Sequence, residues 1–279
     1  MKMKKIFLIF IFIFLFCQNA CAENLRVISL YPGHSDNISA MNGEKILIAL
    51  SENDDEDLLP SLPRLSLRDN AEKFLALKPD VVVTRSFAVR LNPNLYEILE
   101  RAGVKIINLD PPSWENFESY LQTLGETLGL DSENAIKKLR MMKTARSSSK
   151  NFHAFIEATS KEIYTCTPDS WAANLISLAG GVNAAPDAVP LRQGSSIAAW
   201  GAERVLKSLE NKNLDVYIIQ TGAMNHATLK DFYSREWTKI LIEKGVKVYE
   251  VPEKYLSRPS LLGLEKGLEI LRKIFLSGD

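Results

Sequence analysis

The chain is poor in cysteine. Only three of its 279 residues are cysteines, and two of them, Cys17 and Cys21, lie within the first 22 residues. Removal of that segment would leave Cys166 alone, and a lone thiol cannot form an intrachain disulfide. The sequence therefore predicts a protein that is stabilised by its hydrophobic core.

The chain also has no excess of positive or negative charge. Lys and Arg together number 34, Asp and Glu number 34, and no basic cluster stands in the body of the chain. Nucleic acid is therefore not expected as a partner, because phosphate binding needs concentrated Lys and Arg. An apolar fraction of 46% and a charged fraction of 24% are typical of a soluble globular protein.

Common enzyme motifs are absent as well. The sequence contains no Gly-x-Gly-x-x-Gly, no Gly-x-x-x-x-Gly-Lys, no Gly-x-Ser-x-Gly and no His-Glu-x-x-His. These absences disfavour a nucleotide-dependent enzyme and a serine hydrolase.

The first 22 residues have the order of a secretory signal. Lys2, Lys4 and Lys5 precede the apolar run Ile6–Phe16, and Ala20-Cys21-Ala22 offers a cleavage site between small residues. An apolar run of 11 is too short to span ~30 Å of hydrocarbon. We therefore expect residues 1–22 to be a signal peptide, the mature charge to be 31 − 34 = −3, and the mature protein to be periplasmic.

Cys21 leaves a second possibility open, since it could carry a lipid anchor. The preceding Gln18-Asn19-Ala20 lacks the apolar residue usual three positions before a lipidated cysteine. The sequence favours the soluble form.

Two similar halves, each alternating strands with helices, flank one helical stretch. Such alternation through short turns predicts a parallel sheet covered on both faces. In the first half the predicted strands are Arg26–Tyr31, Ile46–Ala49, Val81–Thr84 and Lys105–Leu109, and the predicted helices are Ala71–Leu77, Pro93–Ala102 and Ser113–Leu128. In the second half the strands are Glu162–Cys166, Val216–Gln220 and Val246–Val251, and the helices are Ser170–Ala179, Ala202–Leu209 and Leu261–Phe275.

The stretch between the halves, Asp131–Thr159, contains neither Gly nor Pro. A helix over its whole length would be ~42 Å long, with a kink possible at Ser147–Lys150. We therefore expect a signal segment at 1–22, an N-terminal lobe at 23–130, an interlobe helix at 131–160 and a C-terminal lobe at 161–279.

Five motifs in register resemble one family. The segment Asn70–Val83 is similar to the Asn-x-Glu-x-(three residues)-Leu-Lys-Pro-Asp-(apolar run) of the binding proteins for vitamin B12, ferric siderophores and haem. These are the class III periplasmic solute-binding proteins of ABC importers. The other four are the opening strand with Pro32, Gly103–Asp110 ahead of Trp114, Leu178–Asn183, and Leu256–Pro259.

The resemblance implies two Rossmann-like lobes joined by a single long α-helix, with the ligand held in a cleft between the lobes. It also implies a binding protein that is not an enzyme, has no cofactor, and delivers an iron complex or a corrinoid to ABC permease and ATPase subunits. Two alternatives stay open: binding of a bare transition-metal ion, and a periplasmic chelatase or lyase on the same architecture.

Side chains just beyond the predicted strands are the candidate ligand contacts, because open parallel sheets bind ligands at the carboxyl ends of their strands. Aromatic faces suit a large planar or macrocyclic ligand, and Arg suits carboxylates or phosphate on its rim. Each could instead be an ordinary packing residue, Trp171 in particular. The candidates are Tyr31, His34, Ser35, Arg85, Trp114, Trp171, Arg192, Trp200, Asn225, His226, Tyr255 and Arg258.

His34 and His226 each follow a strand in a different half, so both could ligate a metal, with Asp36 and Glu52 completing the site. A loop histidine is more often a simple hydrogen-bonding residue. No protein metal site is therefore predicted.

Glu72 and Glu203 each lie near the start of a predicted helix, one in each half. In the family that the sequence resembles, the matching glutamates pair with arginines of the permease, so the resemblance implies that these two dock the protein. A glutamate in the first turn also complements the helix dipole without any partner.

Overall fold

The computed structural model describes residues 25–145, 152–160, 162–223 and 225–276. In this part the chain divides into two compact units. The first unit is the chain up to Pro112 together with Asn116–Lys138, and the second is Ser113–Glu115 together with the chain from Leu139.

The predicted signal segment, residues 1–22 with Cys21, lies outside the described residues. Among the helices that the structure describes, none has both the length and the apolar character needed to cross a membrane.

The first unit is built on a five-stranded, entirely parallel sheet with the order β3-β2-β1-β4-β5. Its strands are β1 (Val27–Ser29), β2 (Leu47–Ser51), β3 (Arg64–Leu65), β4 (Val81–Thr84) and β5 (Lys105–Asn108). Its helices are α1 (Pro32–Ala40), α2 (Ala71–Leu75), α3 (Ser86–Leu91), α4 (Pro93–Arg101) and α5 (Phe117–Leu128), and α6 (Glu133–Thr144) continues into the second unit.

Strand β4 shows why this sheet forms where the sequence predicts it. Three valines and a threonine are buried on both faces, as a central parallel strand requires. The helix before it, α2, begins where the Asn70 side chain accepts a hydrogen bond from the Lys73 N–H. Phe74 on that helix and Leu99 on α4 pack with Val82 in the core of the unit.

The second unit contains a four-stranded parallel sheet with the order β11-β10-β6-β8 and a two-stranded antiparallel pair, β7 with β9. The strands are β6 (His153–Glu157), β7 (Tyr164–Cys166), β8 (Val182–Asn183), β9 (Ile197–Ala199), β10 (Val216–Thr221) and β11 (Lys247–Pro252). The helices are α7 (Trp171–Leu178), α8 (Ala202–Glu210), α9 (Leu229–Ser234), α10 (Lys239–Glu243), α11 (Glu253–Leu256) and α12 (Leu261–Leu276).

Helices cover both faces of this sheet. On one face Tyr217 and Phe155 pack against Val205 of α8 and Phe232 of α9. On the other face α7, α11 and α12 pack together. The predicted α/β class with parallel sheets is therefore confirmed.

The prediction of one helix over 131–159 is wrong in its second half. Helix α6 ends at Thr144, and the run Phe152–Ile156 that was assigned to the helix contributes strand β6. Ala154, Phe155 and Ile156 are almost completely buried because β6 lies between β10 and β8. A short apolar run is compatible with either a strand or a helix. Here its burial between two paired strands selects the strand. Helix α6 therefore has 12 residues.

Sequence analysis predicted no helix directly after the first strand, whereas α1 begins at Pro32. Proline fits the first helical position because its missing N–H needs no partner there and its φ is already helical. Extended backbone at Tyr31 turns the chain from β1 directly into this helix.

Candidate functional site

The strand order of each sheet reverses at one point. In the first unit the chain builds from β1 to β2 and β3 on one side, and then adds β4 and β5 on the other side. In the second unit it builds from β6 to β8 on one side and adds β10 and β11 on the other. Open parallel sheets bind ligands at the carboxyl ends of the strands at such a reversal. The candidate edges therefore lie beyond β1 and β4, and beyond β6 and β10.

At the first reversal the structure brings two predicted residues together. Tyr31 follows β1 and Arg85 follows β4, and the Arg85 guanidinium carbon lies 4.9 Å from the centre of the Tyr31 ring. Phe87 lies on the other flank, 5.3 Å from the same carbon, with 51% of its surface exposed. Sequence analysis missed Phe87 because it predicted no helix over Ser86–Leu91.

His34 and Ser35 do not reach the surface at this edge. His34 Nδ1 is hydrogen-bonded to the Tyr120 hydroxyl (2.6 Å), and Nε2 lies 3.3 Å from the Thr84 carbonyl oxygen. Burial lowers the pKa of His34 to about 4, so the imidazole is neutral at pH 7. Ser35, which is also buried, donates to the Ser29 hydroxyl at 2.8 Å. Both residues support the edge from beneath.

At the second reversal an open depression of about 490 Å³ lies between the ends of β6 and β10. The exposed His226 stands at this depression, and Asn225 beside it is buried. The lining includes Thr159, Ser160, Asn225, His226, Asp231 and Arg235.

A buried charge lies at this reversal. The Glu157 carboxylate at the end of β6 accepts two hydrogen bonds from Arg235, at 2.6 and 3.1 Å, and one from the Tyr217 hydroxyl at 2.5 Å. Asn225 donates to the Glu157 carbonyl oxygen at 3.3 Å and accepts from the Ala227 N–H at 3.2 Å. Burial and the neighbouring Glu157 carboxylate raise the pKa of Tyr217 well above its usual value. The cluster therefore fixes the loop that carries His226.

Sequence analysis missed Glu157 and Arg235 because it assigned β6 to a helix. A single charge within the apolar run from Phe152 to Ala158 was the available signal. A charge buried in a strand needs a partner.

Trp114 and Trp171 meet in the second unit. Their rings pack edge to face with centres 4.9 Å apart. Lys143 lies 4.6 Å above the Trp114 ring and donates to its carbonyl oxygen at 2.5 Å. Trp171 is mostly buried and Trp114 is half-buried.

Trp200 lies apart from the His226 loop. It lines a separate depression of about 390 Å³, where the Arg204 guanidinium stacks 3.5 Å from its ring centre and pairs with Asp187 at 2.6 Å. Arg192 is exposed on the segment between β8 and β9. The structure therefore does not gather these residues into one site with His226.

Tyr255 and Arg258 follow β11 and precede α12, and both are half-buried. Nearby, the Ser257 hydroxyl donates to the Gln220 side-chain oxygen at 2.5 Å.

Glu72 and Glu203 occupy equivalent positions. Each is the second residue of its helix, α2 or α8, and each is exposed. Neither carboxylate is bonded to another residue in the described part of the chain.

The described residues contain no group of three or more His, Cys, Asp or Glu side chains able to hold a metal ion. Cys166 is buried, and burial raises the pKa of its thiol to about 12, so it stays protonated.

No family model matches the chain. An uncharacterized ABC transporter substrate-binding lipoprotein of Bacillus subtilis strain 168, YvrC, is 20% identical over 266 residues, which cover 91% of this chain and 81% of that protein.

Two solved structures from Vibrio cholerae share the fold. The periplasmic haem-binding protein HutB superposes with a TM-score of 0.71 at 13% identity, covering 90% of this chain and 99% of HutB. The periplasmic vitamin B12-binding protein BtuF superposes with a TM-score of 0.62 at 20% identity, covering 92% of this chain and 98% of BtuF. The chain therefore has the fold of the class III periplasmic solute-binding proteins, as the sequence predicts.

Proposed function

We propose that this protein is the substrate-binding component of an ABC importer, which captures an iron complex or a corrinoid outside the cytoplasm and delivers it to the permease. The observation that carries the proposal is the extent of the likeness, since nearly the whole chain superposes on nearly the whole of a haem-binding and a vitamin B12-binding protein. Haem and vitamin B12 are both large metal complexes. The exposed aromatic and basic side chains of this chain suit such ligands.

Candidate ligand contacts lie at a sheet reversal in each unit. Tyr31 and Arg85 would supply them in the first unit and His226 in the second, because these side chains lie at the carboxyl edges and reach solvent. The buried His34, Ser35 and Asn225 would hold those contacts in place. We extend the proposal to the other candidates, Trp114, Trp171, Arg192, Trp200, Tyr255 and Arg258, of which Trp171 and Trp200 are the most buried.

Glu72 and Glu203 would dock the protein on the permease. Each carboxylate is exposed at the start of a helix and has no partner among the described residues, which suits a two-point electrostatic contact that orients the complex and speeds its formation. An ATPase subunit would supply the energy for transport, and export through residues 1–22 would place the protein in the periplasm.

Calorimetry with a ligand panel tests the proposal. The panel contains cobalamin, cobinamide, haem and several ferric siderophores, with free Zn²⁺ and Mn²⁺ as the bare-metal comparison. We expect one metal complex to bind with one-to-one stoichiometry. Binding of a free ion without binding of any complex would support the bare-metal alternative. Chemical turnover of a bound complex would support the chelatase or lyase.

A further inference from the structure

The depression of about 390 Å³ in the second unit lies beside helix α8, away from the edge that carries His226. His153 and Val182 in its lining are the first residues of β6 and β8, and Asn213 lies in the connection from α8 to β10. The depression is therefore at the amino ends of these parallel strands, opposite the end at which open parallel sheets bind ligands. A volume of this order is typical of small-molecule sites.

Lys207 brings a positive charge without an ion-pair partner to this depression. It lies three residues after Arg204 on α8, so the two cations share one side of the helix. Glu203 and Glu210 lie one turn before and one turn after it. No hydrogen bond or ion pair joins the Lys207 ammonium to these or to any other residue in the described ranges. Its three N–H donors are therefore available to a ligand.

Arg204 is the second cation, and it is held in place. Its guanidinium stacks 3.5 Å from the centre of the Trp200 ring, and its Nη2 pairs with Asp187 at 2.6 Å. This pair leaves Nη1 without a partner in the part of the chain that the structure describes. Stacking and the ion pair limit the movement of the long side chain, so Nη1 is positioned before a ligand binds.

Neutral polar groups complete the lining. The side chains of Asn211 and Asn213 make no hydrogen bond to another described residue, and each offers an amide donor and a carbonyl acceptor. Asp187 is the one acid among the described lining residues, and Arg204 compensates its charge. The lining therefore has an excess of positive charge.

We propose that this depression is a second binding site, which takes a small organic anion with carboxylate or phosphate groups. Lys207 binds one such group as a point charge, and Nη1 of Arg204 donates a charge-assisted hydrogen bond to its oxygens. The carboxamides of Asn211 and Asn213 bind the hydroxyl or remaining anionic oxygens of the same molecule. This anion is distinct from the transported cargo, because its site lies at the other end of the second sheet.

Calorimetry with small anions tests the site. The probes are citrate, succinate, glycerol 3-phosphate and inorganic phosphate, with glycerol as the neutral comparison, each titrated into the purified protein. We expect at least one organic anion to bind one-to-one with a Kd below about 1 mM, more tightly than inorganic phosphate, and glycerol not to bind. The affinity should fall as the ionic strength rises, because the charges that hold the anion are exposed to solvent.

Substitutions locate the bound anion. Lys207→Gln should weaken its binding at least about tenfold, the loss expected for a hydrogen bond to a charged group. Lys244→Gln removes the same charge from another exposed position in the second unit and should leave the affinity within twofold. Arg85→Gln, at the candidate ligand edge of the first unit, should also leave it within twofold. The thermal midpoints of Lys207→Gln and Lys244→Gln should agree within a few degrees.

Failure of every organic anion to bind, or equal losses in Lys207→Gln and Lys244→Gln, would overturn this inference. A loss in Arg85→Gln without one in Lys207→Gln would overturn it too, because the anion would then be bound at the first sheet. The proposed function is tested separately by the panel of metal complexes, and it stands or falls independently of these results.

Discussion

Buried polar side chains beneath the first sheet's edge show how single residues shape the candidate site. His34 packs between β4 and α5, where Tyr120 and Thr84 occupy its two nitrogens. A neutral imidazole therefore supports the turn that carries Tyr31. Burying a charge there would be unfavourable, which is why the pKa of His34 lies at about 4.

Protonation of His34 predicts a loss of stability in acid. The pKa is about 4 in the folded protein and 6.5 for an ordinary histidine, so between these values the unfolded chain binds a proton that the native state does not. Stability should be fully present above pH 6.5 and should fall as the pH falls towards 4, by up to about 3 kcal/mol from this residue. Urea denaturation at pH 7.0 and pH 4.5 measures it.

Carboxylates also titrate in this range, so two variants provide the reference. His34→Gln should be less stable than the wild type at pH 7.0 but should lose less on acidification. His226→Gln changes an exposed histidine and should follow the wild-type profile. Identical pH profiles for all three proteins would contradict this role of His34.

At the scale of elements, the boundaries that can be predicted from the sequence are those marked by local helix-ending or strand-starting residues. The Lys78-Pro79-Asp80 segment ends α2 and starts β4, and both were predicted within two residues of their observed bounds. Tyr31 and Arg85 were predicted to follow strands, and they do, because strand ends can be read locally. Strand β6 was missed, although three serines, Ser147–Ser149, precede it in the sequence, because its identity depends on β10, about 60 residues later. The ion pair of Glu157 with Arg235 was missed for the same reason, since it joins residues 78 positions apart.

The packing of α12 against α11 and α7 makes a prediction about Gly267. A Cβ at this position would lie 2.1 Å from the Tyr255 carbonyl oxygen and 2.6 Å from the Leu175 side chain. Gly267→Ala should therefore lower the free energy of unfolding by about 1–3 kcal/mol, although alanine favours a helix. Lys266→Ala, at the neighbouring exposed position, should change it by no more than about 0.5 kcal/mol. Equal stability of the two variants would show that the helices can separate without cost.

At the scale of the whole molecule, each unit carries one candidate ligand edge and one of the two glutamates that we propose as docking residues. The edges lie at the carboxyl ends of parallel strands, and Glu72 and Glu203 lie in the first turns of α2 and α8. A binding protein needs both kinds of surface, because it has to hold its cargo and be recognised by the permease. The two functions should therefore be separable by mutation.

Ligand uptake by cells tests the central claim most directly. In source cells that lack their own copy of the gene, wild-type protein should restore uptake of the bound metal complex. Glu72→Arg with Glu203→Arg should lower uptake at least about tenfold, since two attractive contacts become repulsive, while the purified variant binds the ligand within twofold of wild type. Reversal of two other exposed glutamates, Glu100 and Glu210, one in each unit, makes the same charge change and should leave uptake intact. Normal uptake with Glu72 and Glu203 both reversed, or no uptake defect when the gene is absent, would contradict the account.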